Sequence, residues 1–278
     1  MYRIVAKEKL TSVIHYLKVE APAISKKANA GQFVIIRVDD VGERIPLTLA
    51  DWDTEEGTVT LVAMEVGTST KKLSLMKAGD SLANLIGPLG LPAEIEKFGT
   101  VVCVGGGVGI APVYPIARAL KQKGNKIISI IGARCQDLVF WEDRMKTVSN
   151  ELIVTTDDGS YARKGVVTEP LKEVIEREKV DRVIAIGPAV MMKFCSLTTK
   201  PYGVPTIVSL NSIMVDGTGM CGCCRISVGG ATKFACVDGP DFDGHKVDWD
   251  IVFDRQKVYL EEEKLSLEKW EACHCIRP

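Results

Sequence analysis

Gly105-Gly106-Gly107-Val108-Gly109-Ile110-Ala111-Pro112 separates an apolar run at 101–104 from a helical pattern, and this junction decides the fold. On its C-terminal side Ile110, Val113, Ile116, Ala117 and Leu120 recur at helical spacing, until Lys121-Gln122-Lys123 and a stopping Gly124. Strand-like runs at 127–131, 152–155, 183–186 and 206–210 alternate with further helical patterns. One of these follows Thr168, with Leu171, Val174 and Ile175 on one face. Strands alternating with helices over 98–210 predict a mostly parallel sheet covered on both faces. Glycines in a strand-to-helix turn let backbone N–H groups approach a pyrophosphate, whose charge the helix N-terminus favours. Tight packing is the competing reason for such glycines, and their spacing is not G-x-G-x-x-G. Pro112 falls in the first turn, where N–H groups lack intrahelical partners anyway.

Two more stretches belong to the same carboxyl edge, where open parallel sheets bind their ligands. Gly132-Ala133-Arg134 follows the second strand, and Thr155-Thr156-Asp157-Asp158-Gly159-Ser160 follows the third. Arg134 suits a phosphate or ribose as well as bare solvent. Asp157, Asp158 and Gly159 suit a ligand site or a plain turn.

Upstream, residues 1–97 read as short strands at 2–9, 13–20, 32–38, 46–51, 58–66 and 80–86, with turn residues such as Asn29-Ala30-Gly31 between them. That spacing predicts a small antiparallel barrel, interrupted by one short helix over 70–76. Beyond residue 210 the pattern gives way to a Gly/Cys-rich stretch and then Glu261-Glu262-Glu263, which opens one final helix. The chain of 278 residues therefore divides into 1–97, 98–210 and 211–278. A net charge of −1 leaves no basic surplus for a nucleic acid, so DNA and RNA binding are excluded as expectations. No apolar stretch reaches the roughly 18–20 residues that span a bilayer, and the first residues lack the apolar core of a signal peptide. A cytoplasmic protein is expected.

Of nine cysteines, Cys103, Cys135 and Cys195 stand in apolar or helical contexts and read as small buried residues. The other six lie beyond residue 220, and in a reducing compartment such a cluster points to metal binding or redox chemistry. In Asp216-Gly217-Thr218-Gly219-Met220-Cys221-Gly222-Cys223-Cys224 the spacing Asp216-x4-Cys221-x2-Cys224 reproduces the plant-type iron–sulfur loop C-x4-C-x2-C, with aspartate in place of the first cysteine. Cys236 supplies a fourth ligand. Zinc on the same groups is the competing structural reading, and would make the protein a colourless, non-enzymatic regulator. Cys223 is an alternative to Cys224, although spacing favours Cys224. Cys273-His274-Cys275 is ligand material by residue type, but only three residues follow it and it reads as incidental. His15 and His245 have no base or nucleophile partner in the sequence and read as structural or surface residues.

Taken singly, Arg44-Ile45-Pro46-Leu47-Thr48, Val66-Gly67-Thr68 and Gly87-Pro88-Leu89-Gly90 are ordinary strand edges and turns. Their order, followed by the Gly105–Pro112 stretch, resembles the ferredoxin–NADP reductase superfamily over residues 1 to about 210. The cysteine loop brings the likeness closer to the electron-transfer subunit of dihydroorotate dehydrogenase. It looks closer still to the small subunits of NADH-dependent reduced ferredoxin:NADP oxidoreductase (sulfide dehydrogenase), which the aspartate, the Thr-Asp-Asp-Gly-Ser-Tyr run and the acidic tail all fit. This resemblance implies a flavin-binding β-barrel, an α/β domain for a pyridine nucleotide and a small C-terminal iron–sulfur subdomain. It implies FAD held by Arg44, Pro46, Leu47, Thr48, Val62, Gly67, Thr68 and Thr70. For NAD(H) it implies Gly105, Gly106, Gly107, Val108, Gly109, Ala111, Pro112, Gly132, Ala133, Arg134, Asp157, Asp158 and Gly159. One [2Fe–2S] cluster would sit on Asp216, Cys221, Cys224 and Cys236. The implied partner is a larger iron–sulfur flavoprotein carrying the NADP site, in a heterodimer that exchanges electrons with ferredoxin by electron bifurcation. The dihydroorotate dehydrogenase subunit is the alternative, against which Asp216 argues because a fourth cysteine is expected there.

Overall fold

A computed structural model describes residues 2–274. Seven strands build the N-terminal sheet: β1 (Tyr2–Lys9), β2 (Ile14–Glu20), β3 (Phe33–Arg37), β4 (Arg44–Asp53), β5 (Thr58–Met64), β6 (Ser81–Leu82) and β7 (Asn84–Leu89). Their order is β6-β1-β2-β5-β4-β3-β7, with antiparallel pairing throughout. The single strand expected over 80–86 is two strands. At Ala83 the chain changes neighbours, its N–H bonding the Val38 carbonyl at 3.2 Å, so one residue links the two ends of the sheet and nearly closes it. Inward-facing Ile4, Leu17, Val19, Val34, Ile36, Leu49 and Leu61 fill the interior, each worth about 2 kcal/mol of burial. Two helices decorate the barrel, α1 (Pro22–Ser25) and α2 (Thr68–Leu75), the latter where the interruption was expected.

The second sheet takes β8 (Thr100–Gly106), β9 (Lys126–Ala133), β10 (Glu151–Thr156), β11 (Arg163–Lys164), β12 (Arg182–Ile186) and β13 (Thr206–Ser209), all parallel, in the order β11-β10-β9-β8-β12-β13. Successive residues of β8 serve opposite cores: Val101 and Cys103 pack on one side, Val102 and Val104 on the other. Burial on both faces is why the central strands read as nearly continuous apolar runs, Ser129 of β9 being a buried exception. α3 (Ile110–Gln122), α4 (Glu142–Val148), α5 (Thr168–Arg177) and α6 (Ala189–Thr199) cover the faces. Between β8 and β12 the strand order reverses, which creates a crevice at their carboxyl ends.

The third segment is tied into this sheet. After the hairpin β14 (Arg225–Val228) and β15 (Ala231–Phe234), β16 (Asp241–Asp243) pairs antiparallel with β13 as a new edge. α7 (Trp249–Gln256) follows, and then α8 (Leu260–His274), the final helix expected from the acidic run. α8 returns to the barrel, where Glu271 pairs with Lys71 and the Ser266 and Thr68 hydroxyls meet at 3.0 Å. Among the described residues no helix is long and apolar enough to cross a membrane. Cys103 and Cys195 are fully buried, which pushes both thiols up to about 12. Cys135 departs from the expectation. It lies beyond the end of β9 and is only half-buried. Each described histidine of the two noted above has a polar neighbour: Glu65 at 2.5 Å for His15, Thr199 at 2.8 Å for His245.

Candidate functional site

β4 is unevenly covered. Leu49 and Ala50 are buried, but Arg44 is exposed and Ile45, Pro46, Leu47 and Thr48 are only half-buried. That uncovered half forms one wall of a cleft of about 870 Å³, with Val62 and Thr70 beside it. The opposite wall is the switch point: Val108, Gly109, Ala111 and Pro112 from the glycine turn, with Ile186 and Gly187 beyond β12. Ten of the expected cofactor contacts thus line a single cavity. Half-buried apolar strand residues facing a cleft of this size suit a planar ring system.

The glycine turn divides into two kinds of residue. A Cβ on Gly109 would lie 2.2 Å from the Ile186 carbonyl oxygen, and one on Gly106 would lie 2.2 Å from the Met191 sulfur. Gly105 meets the α3 backbone at 3.0 Å. Backbone closes off Gly109 and crowds Gly105, whereas at Gly106 the obstacle is the flexible end of the Met191 side chain. Gly107 has φ +54° and nothing within 4 Å of its Cβ position, so it alone presents open backbone. At the barrel end of the cleft, Gly67 N-caps α2 while Thr70 Oγ1 accepts from the N–H groups of Val66 at 2.9 Å and Gly67 at 3.1 Å. Thr70 therefore shapes the helix start, and the Thr68 hydroxyl is engaged by Ser266.

The remaining expected contacts lie outside the cleft. Gly132 sits where a Cβ would meet Val167 at 2.3 Å, a packing role. Arg134 is exposed. Asp157 and Asp158 donate their N–H groups to Ala133 and Arg134, and the Asp158 carboxylate accepts from Ser160, whose hydrogen bonds hold its pKa down. Gly159 has φ +77° in the same turn. Sequence reasoning missed two other parts of the lining. One is the Ser209–Met214 stretch, legible in principle as the carboxyl end of a parallel strand. The other is Tyr259, Glu262 and Glu263 of the returning C-terminal segment, for which the sequence holds no signal. Burial, then the charges of Glu43 and Glu262, raise the pKa of Glu263.

Cys223 also lines the cleft, which therefore abuts the cysteine loop. The groups of that loop fall into pairs. Cys224 and Cys236 are buried with sulfurs 3.2 Å apart. Asp216 accepts the Cys221 N–H at 2.9 Å and the Thr218 N–H at 2.7 Å. Those bonds lower its pKa, the Thr218 contribution being the larger. Burial and then the Cys224 contact push the Cys236 thiol up to about 12, and the Asp216 charge also acts on it. Gly217 (φ +76°) packs so closely that a Cβ would meet Leu89 at 2.5 Å. Among the described residues no group of three or more His, Cys, Asp or Glu side chains stands ready for one ion. Two pairs of soft and anionic donors fit a two-iron cluster, in which each iron takes two protein ligands. Cys273 is exposed on α8, and Cys275 lies outside the described residues.

The match to known proteins agrees with this layout. Residues 103–196 match the oxidoreductase NAD-binding domain, and residues 211–248 match the iron-sulfur cluster binding domain of dihydroorotate dehydrogenase B. The chain is 51% identical to the dihydroorotate dehydrogenase B (NAD(+)), electron transfer subunit homolog of Thermotoga maritima, over 96% of its own length and 94% of the relative's. This chain belongs to the dihydroorotate dehydrogenase B electron transfer subunit family. A member from Desulforamulus reducens is 31% identical across 85% of this chain and 93% of its own. Among solved structures, one of the NADH-dependent reduced ferredoxin-NADP oxidoreductase, described for flavin-based electron bifurcation, matches with TM-score 0.93 and 49% identity. It covers 97% of this chain and 98% of that one. Amycolatopsis cytochrome P450 reductase, 22% identical with TM-score 0.61 over 72% and 65%, shares the fold. As a member of the family the chain is an electron-transfer oxidoreductase subunit with a nucleotide-binding domain, an iron–sulfur domain and a reductase-type flavin barrel.

Asp241 stands behind this site, in register with the cleft residue Ser209. The residue is partly exposed, but its Oδ1 is sealed from solvent without a hydrogen-bond partner. Burial raises its pKa to about 6, against a smaller opposing effect of Ser209. A carboxyl with a folded pKa above its unfolded value favours folding while protonated. Its penalty is absent below pH about 4 and complete above about 6. Asp241→Asn should flatten the fall in stability between those pH values and raise stability at pH 7 by at most about 3 kcal/mol, as read from urea titrations at pH 4 and pH 7. Equal pH dependence in both proteins would show that the carboxyl is solvated.

Proposed function

We propose that this chain is the small subunit of an NADH-dependent reduced ferredoxin–NADP oxidoreductase, in which it passes electrons between NAD(H), FAD and one [2Fe–2S] cluster. The observation that carries this is the single cleft lined by the barrel, the switch-point turn and Cys223 of the cysteine loop. A bound FAD supplies the exchange between two-electron hydride chemistry and single electrons. Residues 1–97 hold it: Pro46, Leu47, Thr48 and Val62 as the apolar wall, Arg44 as a cation for the diphosphate, and Gly67 and Thr68 at the positive end of α2. Residues 98–210 receive NAD(H) through the open backbone of Gly107 and the N-terminus of α3, with Arg134 and Asp157–Gly159 further along the same edge. Residues 211–278 carry the cluster on Asp216, Cys221, Cys224 and Cys236. Cys224 takes precedence over Cys223 because its thiol is buried against Cys236, while Cys223 turns to the cleft.

The partner in this reading is a larger iron–sulfur flavoprotein that bears the NADP site, in a cytoplasmic heterodimer that exchanges electrons with ferredoxin. The likeness to the oxidoreductase structure, 49% identical with TM-score 0.93, supports it, while the 51% identity with the Thermotoga maritima electron transfer subunit homolog keeps the dihydroorotate dehydrogenase branch as the alternative. The purified chain should be coloured, and acid should release a flavin whose fluorescence rises on phosphodiesterase treatment, the signature of FAD. Released FMN, or a colourless zinc protein, would overturn the reading. Co-purification with a dihydroorotate dehydrogenase catalytic chain would assign the other branch of the family.

A further inference from the structure

The last turn of α7 presents a cation to the cysteine loop. Arg255 Nη2 donates to the Cys223 carbonyl at 2.8 Å, and the next residue, Gln256, lines the cleft. An arginine in a final helical turn ordinarily serves its own helix's carbonyls and the negative end of the dipole. This one reaches a loop 32 residues away in sequence. The acidic neighbours on its helix are engaged elsewhere, Asp250 with Lys193 at 3.5 Å and Asp254 with Lys257 at 3.2 Å. The guanidinium is therefore turned toward the loop, where it holds the Cys223 carbonyl. The bond also has a geometric consequence. In a trans peptide the C=O and N–H point in opposite directions. Fixing the Cys223 carbonyl thus fixes the direction of the Cys224 N–H, next to the thiol that faces Cys236.

We propose that Arg255 is the positioning residue of the cluster loop and raises the reduction potential of the cluster held there. This rests on the reading that Asp216, Cys221, Cys224 and Cys236 are the ligands. Reduction adds a negative charge to the cluster, and a half-buried cation that makes no ion pair among the described residues stabilises that added charge. Hydrogen bonding and net charge at the cluster are recognised determinants of its potential.

The test is an EPR-monitored redox titration of the full chain, with iron and acid-labile sulfide measured on each sample. Arg255→Gln should keep the cluster and show a roughly tenfold lower reduced-to-oxidised ratio at fixed poise, about 59 mV for one electron. Arg255→Lys, which keeps the charge but loses the planar fork, should shift less. If Arg255→Gln loses the cluster while Arg255→Lys retains it, the need for a cation at this point is established directly. An unchanged or more positive potential in Arg255→Gln would overturn the proposal, as would loss of the cluster from both variants, which would make Arg255 a strut. A parent protein without iron and sulfide would instead overturn the ligand reading and this inference with it.

Discussion

Cys236→Ser should abolish the visible absorbance and the reduced-state EPR signal of the cluster while leaving FAD stoichiometric and reducible by NADH. Cys224→Ser should do the same. Both sulfurs are buried and 3.2 Å apart, so either change leaves its neighbour without a soft partner. A hydroxyl of similar size can occupy the space, and fold loss is not the expected route. The flavin wall lies on β4 and β5, elements that neither residue belongs to, so flavin content reports folding independently of the cluster. Asp216→Cys should retain a cluster with an altered potential, because a soft thiolate replaces a harder oxygen donor. If Cys223→Ser emptied the loop and Cys224→Ser did not, the ligand assignment would move by one residue. If Asp216→Ala kept a full cluster, the aspartate would be a loop residue satisfied by the Thr218 and Cys221 amides.

Gly109→Ala and Gly107→Ala, one methyl each and two residues apart, should fail in opposite ways. At Gly109 the added carbon would overlap the Ile186 carbonyl oxygen at 2.2 Å and press on Gly187, all backbone atoms that cannot rotate away. Gly109→Ala should destabilise the chain by more than about 4 kcal/mol and yield little folded protein. At Gly107 the new methyl enters open space. The cost is the left-handed backbone, roughly 1–2 kcal/mol, a loss the fold should survive. Gly107→Ala should keep its flavin and lose NADH-driven flavin reduction by tenfold or more, because the methyl stands where a pyrophosphate approaches. Thermal midpoints and stopped-flow reduction separate the two effects. NADH reduction at the parent rate in Gly107→Ala would make the whole turn a packing device.

These opposed expectations mark what the sequence disclosed and what it withheld. The glycine run announced a strand-to-helix turn, and the sheet alternation around it was plain because Val101–Val104 are apolar at every position and Ile127–Ile131 at all but Ser129. Which glycine serves a ligand was not legible, since crowding by Met191 or Ile186 comes from residues some 80 positions away. α6 passed without a signature because Met192 and Cys195 are buried while Val190, Phe194 and Leu197 are apolar and exposed, leaving little contrast around the helix. β11, β14, β15 and β16 are two to four residues long, too short for any period to show. The cysteine loop was readable by spacing alone. That Cys223 faces the cleft and Cys224 the interior depends on how the chain turns between them.

The pairing of β13 with β16 bears on how this architecture can vary. Ser209 and Asp241 are register partners, and the Leu210 N–H bonds the Pro240 carbonyl at 2.9 Å. Residues 211–239 thus leave and re-enter the sheet at one point, like a cassette spliced into a hairpin. The entropy of closing such an excursion grows only slowly with its length, and what fixes its content is the set of contacts it makes outside the sheet, such as Gly217 on Leu89 and the Cys223 carbonyl on Arg255. A lineage can therefore lengthen or rework this stretch within a single piece of coding sequence, provided that the few contacts fastening it to the barrel and to α7 are kept.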